Sequence, residues 1–342
     1  MTGRGISPRR ESSAGEPLRV PDLSSLLPEP PPRVCVIVLN WNGRRHIEYS
    51  LPSLLATAYP AFELWVVDNA STDGSAEFIS ERFPRVRLLR TPRNLDFAGG
   101  NNYGVRAALA DGFPFVALVN NDVRADARWL DGAVRVAAAN PRVAMTGFRV
   151  FGGSRREPQG AFEGASLAFR CLEARPAPYI VGCALFIRAA ALREVGLLDE
   201  AYFMYEEEND LELRAQRKGW LLAEINVPFW HFGEGSRTAW GDLRASWYQH
   251  RNILRCALKN RPPKEIARLL AFVLWHGCNP FRRPDREVAL YRRLRPRGVL
   301  WSWAILAGAV GWNLAHLRQT WRERTRGRAA PFLDPGFDPG EG

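Results

Sequence analysis

Lysine is nearly missing from this chain: only Lys218, Lys259 and Lys264 stand among its 47 basic residues. The formal charge of the 342 residues is nevertheless +11. An arginine bias follows genome composition as readily as function, so only the sign is informative. It suits anionic partners (nucleic acid, acidic lipid headgroups, diphosphates) without choosing among them. Cysteine is equally sparse. Cys35, Cys171, Cys183, Cys256 and Cys278 form no C-x-x-C pair and no zinc-type spacing, which excludes the common zinc modules and leaves no disulfide framework. Cys35 and Cys183 lie within apolar runs, as small core residues do, and a reducing, cytoplasmic compartment is the simplest reading. The N-terminus lacks the apolar core of a signal peptide, and no internal repeat is visible. Hydrophobic residues still make up 46%, which excludes global disorder.

The first 32 residues are rich in Pro, Ser, Gly and Arg and read as a disordered tail. The pattern then changes. Val34 to Leu39 is a short apolar, β-branched run, the mark of a buried strand. Ile47 to Ala58 fits a helix, Phe62 to Val67 a second strand and Ser75 to Phe83 a helix. Val86 to Leu89 is a third strand, Ala98 to Ala110 a helix and Phe115 to Val119 a fourth strand. Strands alternating with helices predict a parallel sheet covered on both faces. Ligands bind such sheets at the carboxyl ends of the strands, which is where the polar clusters fall. This predicts Asn40, Asp68, Asn94 and Asp122 around one crevice.

Each cluster has a bland reading as well. Asp68 ends a strand, where its carboxylate can accept from a base N–H or ribose hydroxyls, or close an Asx turn. Asp122, in Asn120-Asn121-Asp122, offers a hard oxygen to a divalent cation, yet a capped turn looks the same. His231 offers an imidazole nitrogen, though a histidine between Trp230 and Phe232 usually packs in a core. The acidic run Glu206-Glu-Glu-Asn-Asp210 offers a general base, or an acidic start to a helix spanning Asp210 to Lys218. Gly99-Gly-Asn-Asn-Tyr-Gly104 lets backbone amides approach a ligand, but no Walker lysine follows it.

Together, the ordered blocks over residues 34–237 resemble the family 2 glycosyltransferases, most closely their bacterial rhamnosyltransferase-like branch. The blocks are Val36-Ile-Val-Leu-Asn-Trp-Asn-Gly43, Trp65-Val-Val-Asp-Asn-Ala-Ser-Thr-Asp-Gly-Ser75, Asn94-Leu-Asp-Phe-Ala-Gly-Gly-Asn-Asn-Tyr-Gly104, Leu118-Val-Asn-Asn-Asp122, Phe203-Met-Tyr-Glu-Glu-Glu-Asn-Asp-Leu211 and Trp230-His-Phe-Gly-Glu-Gly-Ser236. The resemblance implies a GT-A fold, that is, an α/β, Rossmann-like, mostly parallel sheet flanked by helices. It implies Asn40, Asp68, Asn94, Gly99, Asn120 and Asn121 on the nucleotide-sugar donor, a dTDP- or UDP-sugar. Asp122 and His231 would hold Mn²⁺ or Mg²⁺. Glu208 would be the base of an inverting displacement, with Glu207 as its substitute and Asp210 in a positioning or capping role. Relatives usually carry aspartate where Glu208 stands and glycine where Asp96 stands.

The resulting division is a tail over 1–32, a catalytic domain over 33–240, a helical, basic region over 241–326 and a flexible tail over 327–342. Residues 298–317 lack charge apart from a titratable His316 and are long enough to span a bilayer. A helix lying on the cytoplasmic membrane surface, a span and a helix packed on the catalytic domain all fit that segment. The acceptor implied is a surface glycan or glycolipid. The competing classes are a sugar nucleotidyltransferase, whose basic phosphate loop is missing after the first strand, and a non-catalytic sugar-nucleotide or glycan binder. Nucleic-acid binding finds no recognisable module.

Overall fold

The computed structural model describes residues 18–20, 27–152, 159–233, 242–278 and 299–326. The strands are β1 (Val34–Asn40), β2 (Phe62–Asp68), β3 (Arg87–Arg90), β4 (Phe115–Asn120), β5 (Val123–Ala125), β6 (Val143–Gly152), β7 (Ala174–Pro176), β8 (Ala184–Arg188) and β9 (Leu221–His231). They form one sheet in the order β3-β2-β1-β4-β8-β6-β9-β5, with β7 on β9. The β3-β2-β1-β4 half is parallel, as alternation with helices predicted. Beyond β4 the sheet is mixed, because β8 enters antiparallel to both β4 and β6 while β9 runs parallel to β6.

Period-two alternation along the buried strands feeds two cores. Val34, Val36 and Val38 of β1 face one side, with Ile47 and Leu51 of α1 (Arg44–Leu55) and Trp129 of α4 (Trp129–Ala139). Cys35 and Ile37 face the other, with Val105 of α3 (Asp96–Ala110), Leu192 of α6 (Ala189–Val195) and Leu211 of α7 (Glu207–Arg217). Cys35 and Cys183 are buried free thiols, as their apolar settings predicted. Helices α2 (Ser75–Arg82) and α5 (Gln159–Ala168) complete this part. The N-terminal segment touches the domain within its described residues. The Arg19 amide donates to Asn140 Oδ1 at 2.8 Å, and Asn140 Nδ2 donates back to the Arg19 carbonyl at 2.7 Å.

The C-terminal helices are α8 (Asp242–Asn260), α9 (Pro263–Cys278), α10 (Val299–Ala315) and α11 (Leu317–Arg326). No helix among the described residues is long and apolar enough to cross a membrane. Helix α10 lays Ile305, Leu306, Ala309 and Asn313 inward, and Asn313 Nδ2 donates to the Arg251 carbonyl of α8 at 2.9 Å. Its other face stays outward, with Leu300 85% and Leu314 65% exposed.

Helix α8 is tied to the catalytic part by buried charge. Lys259 Nζ reaches Asp199 at 2.9 Å and Asp210 at 3.0 Å, and Arg255 Nη2 reaches Asp199 and Glu323 at 2.8 Å each. These groups are almost fully excluded from solvent, where an unpaired charge would cost several kcal/mol. Each is therefore held by several partners.

Candidate active site

Register assembles one half of the site. The β1–β2 ladder pairs Asn40 with Asp68, and the β1–β4 ladder pairs Leu39 with Asn120. The last residues of three parallel strands thus emerge side by side. Asn121 Nδ2 donates to Asn40 Oδ1 at 2.9 Å, and Asn40 Nδ2 donates to Asp68 Oδ1 at 3.2 Å. Gly43 leaves the space for this chain: a Cβ there would strike Asn121 Nδ2 and lie 2.5 Å from Asn40 Oδ1. Asp68 Oδ2 accepts from the Ser71 amide at 3.1 Å. The Asx-type turn is formed, and each carboxylate oxygen keeps a second lone pair.

The β5–β9 pairing builds the other half. Val123 opposes His231, so Asp122 falls beside the imidazole. His231 Nε2 lies 3.1 Å from Asp122 Oδ1, and the Gly233 amide donates to Asp122 Oδ2 at 3.1 Å. Burial pushes the Asp122 carboxyl up, but His231, the nearby His46 and the Gly233 amide outweigh it and hold the group below its ordinary value. Asn120 Nδ2 also approaches His231 Nε2, at 3.4 Å. Two adjacent ligands of an octahedral ion with bonds near 2.1 Å sit about 3 Å apart, so the Asp122 and His231 atoms fit a shared divalent ion. No three His, Cys, Asp or Glu converge among the described residues. Such an ion would need oxygens from a ligand or water.

The acidic run joins these halves through β8. Glu208 packs on Gly182, and the adjacent Cys183 carbonyl accepts from the Asn120 amide at 3.0 Å. Helix α7 begins at Glu207 rather than at Asp210, so Glu207 and Glu208 occupy its first turn. Burial, then the neighbouring Glu208, pushes the Glu207 carboxyl well above its ordinary value. Burial also raises Glu208, partly countered by hydrogen bonds from its own backbone amide and from Glu207. Both carboxyls are thus raised, Glu207 more strongly than Glu208. Glu208 Oε2 is buried with no hydrogen-bond partner among the described residues. Asp210 faces away from this turn, into Arg214, Lys259 and Asn260.

Two sequence-read residues also have structural work. Asn94 Oδ1 accepts from Asn69 Nδ2 at 2.9 Å and from the Asp96 amide at 2.8 Å, which commits the oxygen to the start of α3. Gly99 is buried in the first turn of α3, where a Cβ would meet Leu95 at 3.0 Å. Asn69, Ser71 and His46 were not singled out from the sequence. Asn69 carried a signal, an amide inside an otherwise hydroxyl-rich block. His46 carried none, because its approach to Asp122 is made by helix packing.

A family model described as Glycosyl transferase family 2 matches residues 35–196. The chain is also 31% identical over 224 residues to the N-acetylglucosaminyl-diphospho-decaprenol L-rhamnosyltransferase of Mycobacterium tuberculosis, a stretch covering 56% of this chain and 72% of that one. The chain belongs to glycosyltransferase family 2. Solved structures share the transferase's fold at low identity. The Pyrobaculum calidifontis mannosyltransferase PcManGT, in complex with GDP-Man and Mn²⁺, gives a TM-score of 0.54 at 20% identity, over 92% of this transferase and 88% of that chain. GalNAc-T7, with UDP, GalNAc and Mn²⁺, gives 0.53 at 13% identity, over 83% and 57%. The GT-A architecture expected of this glycosyltransferase is thereby shown. The family match stops before α7 and β9, the elements that carry Glu208 and His231.

Proposed function

We propose that this glycosyltransferase inverts the anomeric centre of a dTDP- or UDP-sugar, with dTDP-rhamnose as the favoured donor, and delivers it to a hydroxyl of a lipid-linked surface glycan. The observation that carries the proposal is the continuity of the site. Asp68–Asn40–Asn121 runs into Asn120–His231–Asp122, and Asn120 is hydrogen-bonded to the segment that seats Glu208. The donor sugar and acceptor follow the rhamnosyltransferase relative.

In this reading Asp68 and Asn40 hold the base and ribose, with Asn94, Gly99 and Asn121 lining the donor side. A Mn²⁺ or Mg²⁺ ion held by Asp122 and His231 would supply positive charge for the departing diphosphate. Glu208 Oε2 accepts the acceptor hydroxyl's proton as that oxygen bonds to the anomeric carbon and the bond to the diphosphate breaks. Attack from the face opposite the leaving group inverts the centre. Glu207, protonated, orients Glu208 and adds no second negative charge.

The test is nucleoside diphosphate release from a panel of nucleotide sugars, with Mn²⁺, Mg²⁺ or chelator and a membrane glycolipid extract as acceptor. Metal-dependent release with one donor is expected, falling by roughly 10²-fold or more in Asp122→Ala and Glu208→Gln. Full activity in Glu208→Gln would move the base to Glu207. Neither binding nor turnover with any donor would sink the assignment.

The same reading places the enzyme at the cytoplasmic membrane face. The outward side of α10 and α11 carries Trp301, Trp303, Leu314 and Trp321 beside the exposed Arg318 and Arg322, a pairing suited to acidic headgroups. Residues 242–326 hold 18 Lys and Arg against 5 Asp and Glu. Co-flotation with phosphatidylglycerol vesicles, lost in Trp301→Ser/Trp303→Ser, is the expected outcome. Flotation indifferent to both the lipid charge and those tryptophans would count against membrane docking through this face.

A further inference from the structure

The turn leading into α7 has an unusual backbone. Phe203, Tyr205 and Glu206 have φ of 68°, 68° and 73°, so three of four consecutive non-glycine residues are left-handed. Each costs on the order of 1–2 kcal/mol, and such conformations persist only where the surroundings over-determine them. Within the turn the Met204 amide donates to the Tyr202 carbonyl at 2.8 Å, across Phe203. Further restraint comes from α8, about 50 residues further along the chain.

Asn252 is fully buried there. Its Nδ2 lies 2.8 Å from the Tyr202 carbonyl, 2.6 Å from that of Met204 and 2.9 Å from that of Tyr205. Two N–H bonds thus serve three carbonyls of one turn. The orientation of the amide is fixed as well, because Arg251 Nε donates to Asn252 Oδ1 at 2.7 Å. Arg251 Nη2 also donates to the Ala201 carbonyl at 2.8 Å, and the Phe203 ring stacks on Tyr248 of α8 with centroids 4.5 Å apart. The restrained turn delivers Glu206, Glu207 and Glu208 in direct succession. It also meets the start of α3, where the Phe97 amide donates to the Phe203 carbonyl at 3.4 Å.

We propose that Asn252 is a positioning residue of the transferase: from outside the catalytic sheet it fixes the Tyr202–Tyr205 backbone and so sets where the Glu208 carboxylate stands. The proposal rests on Glu208 acting as the base. It assigns part of the catalytic geometry to the C-terminal helices, which neither the family match nor the donor-side motifs reach. The Asp68–Asn40–Asn121 chain of the donor side, on β1, β2 and β4, makes none of these contacts, and the turn meets the donor side at the start of α3. Loss of Asn252 therefore acts on the chemical step more than on donor binding.

The experiment compares the full chain with Asn252→Asp, which keeps the shape and removes the N–H donors, and with Asn252→Ala. The readouts are kcat, KM for the donor, donor affinity by calorimetry, the pH profile of kcat, and hydrogen exchange over 201–208. Both variants are expected to lose about 10- to 100-fold in kcat, the effect of misplacing a reacting group by about 1 Å, with donor affinity within about twofold. Exchange over 201–208 should rise, and the acid limb of kcat should move to lower pH as water reaches the carboxylates. The proposal is overturned if Asn252→Asp keeps its kcat and exchange, or if kcat and donor affinity fall together. Absence of turnover in the unmodified enzyme would sink the transferase reading, and the positioning role with it. Unchanged exchange in the variants would sink the clamp alone.

Discussion

Glu208 is one methylene longer than an aspartate, and Gly182 leaves the room for it. A Cβ on Gly182 would lie 2.6 Å from Glu208 Oε1 and 2.9 Å from its Cδ. Gly182 has no left-handed φ, so its missing side chain is needed for space and not for backbone conformation. Gly182→Ala should displace the carboxylate while leaving the fold intact. A loss of roughly 10-fold or more in kcat is expected, with about 1–3 kcal/mol of stability lost because the Glu208 side chain must be pushed aside from Cγ outward. Wild-type kcat in this variant would show that the carboxylate's position beside Gly182 is unimportant. Asp96 is the reverse case. Its φ of 61° is left-handed, a conformation that glycine adopts without steric cost. The aspartate tolerates it at the very start of α3, where the Asn94 side chain holds its amide.

At the level of elements, the pairing of α7 with α8 decides what Asp210 does. The sequence left Asp210 as a capping or positioning residue. The structure makes it the meeting point of two helices, with Arg214 Nε at 2.8 Å, Lys259 Nζ at 3.0 Å and Asn260 Nδ2 at 2.7 Å. Burial would raise its carboxyl, but Lys259 and Arg214 overcome this and hold it below the ordinary value. Lys259→Met would leave Asp199 and Asp210 each short of a buried partner. A loss on the order of 3 kcal/mol is expected in denaturant unfolding. A melting curve unchanged from wild type would mean the network contributes nothing to docking α8. The start of α7 was misjudged by three residues for a related reason. Phe203 to Glu206 contains no glycine or proline to announce a left-handed turn, and the residues that stabilise it belong to another helix.

Over the whole molecule, two opposed sets of carboxyls shape stability against pH. Burial raises Glu206 to about 7, with Glu208 adding to it, and raises Glu207 and Glu212 well above their ordinary value. Their contribution is complete below the ordinary value of 4.5 and is lost as pH climbs through the folded values. Asp122, Asp199 and Asp210 are shifted down, so theirs is present above 3.8 and is lost as pH falls. The thermal midpoint should therefore peak between about pH 4.5 and 7. Glu206→Gln should flatten the alkaline limb and raise the midpoint at pH 8. A midpoint that climbs steadily through pH 8 in the unmodified protein would contradict this account.

The sequence by itself determined the parallel half of the sheet, because β-branched runs between polar turns are buried locally whatever surrounds them. It also put Asn40, Asp68, Asn94 and Asp122 at strand ends around one crevice, since strand ends in a parallel ladder share one edge; there Asn40 meets Asp68, and Asn121 joins them to the segment carrying Asp122. It left open whether Asp68 closes a turn or faces a ligand, and its two oxygens allow both. Only tertiary structure could bring His231 to Asp122, through an antiparallel pairing across more than 100 residues. Only tertiary structure could commit the Asn94 oxygen to α3, or seat a glutamate against Gly182. The docking of the basic C-terminal helices was likewise invisible in the sequence. The sequence showed a helical, basic region over 241–326, and nothing in it named partners for Arg251, Asn252, Arg255 or Lys259. Their partners, the carbonyls of a strained turn and the carboxylates of Asp199 and Asp210, lie about 50 residues earlier in the chain. A long-range polar contact leaves no periodicity, and its energy arises only once folding has removed the water.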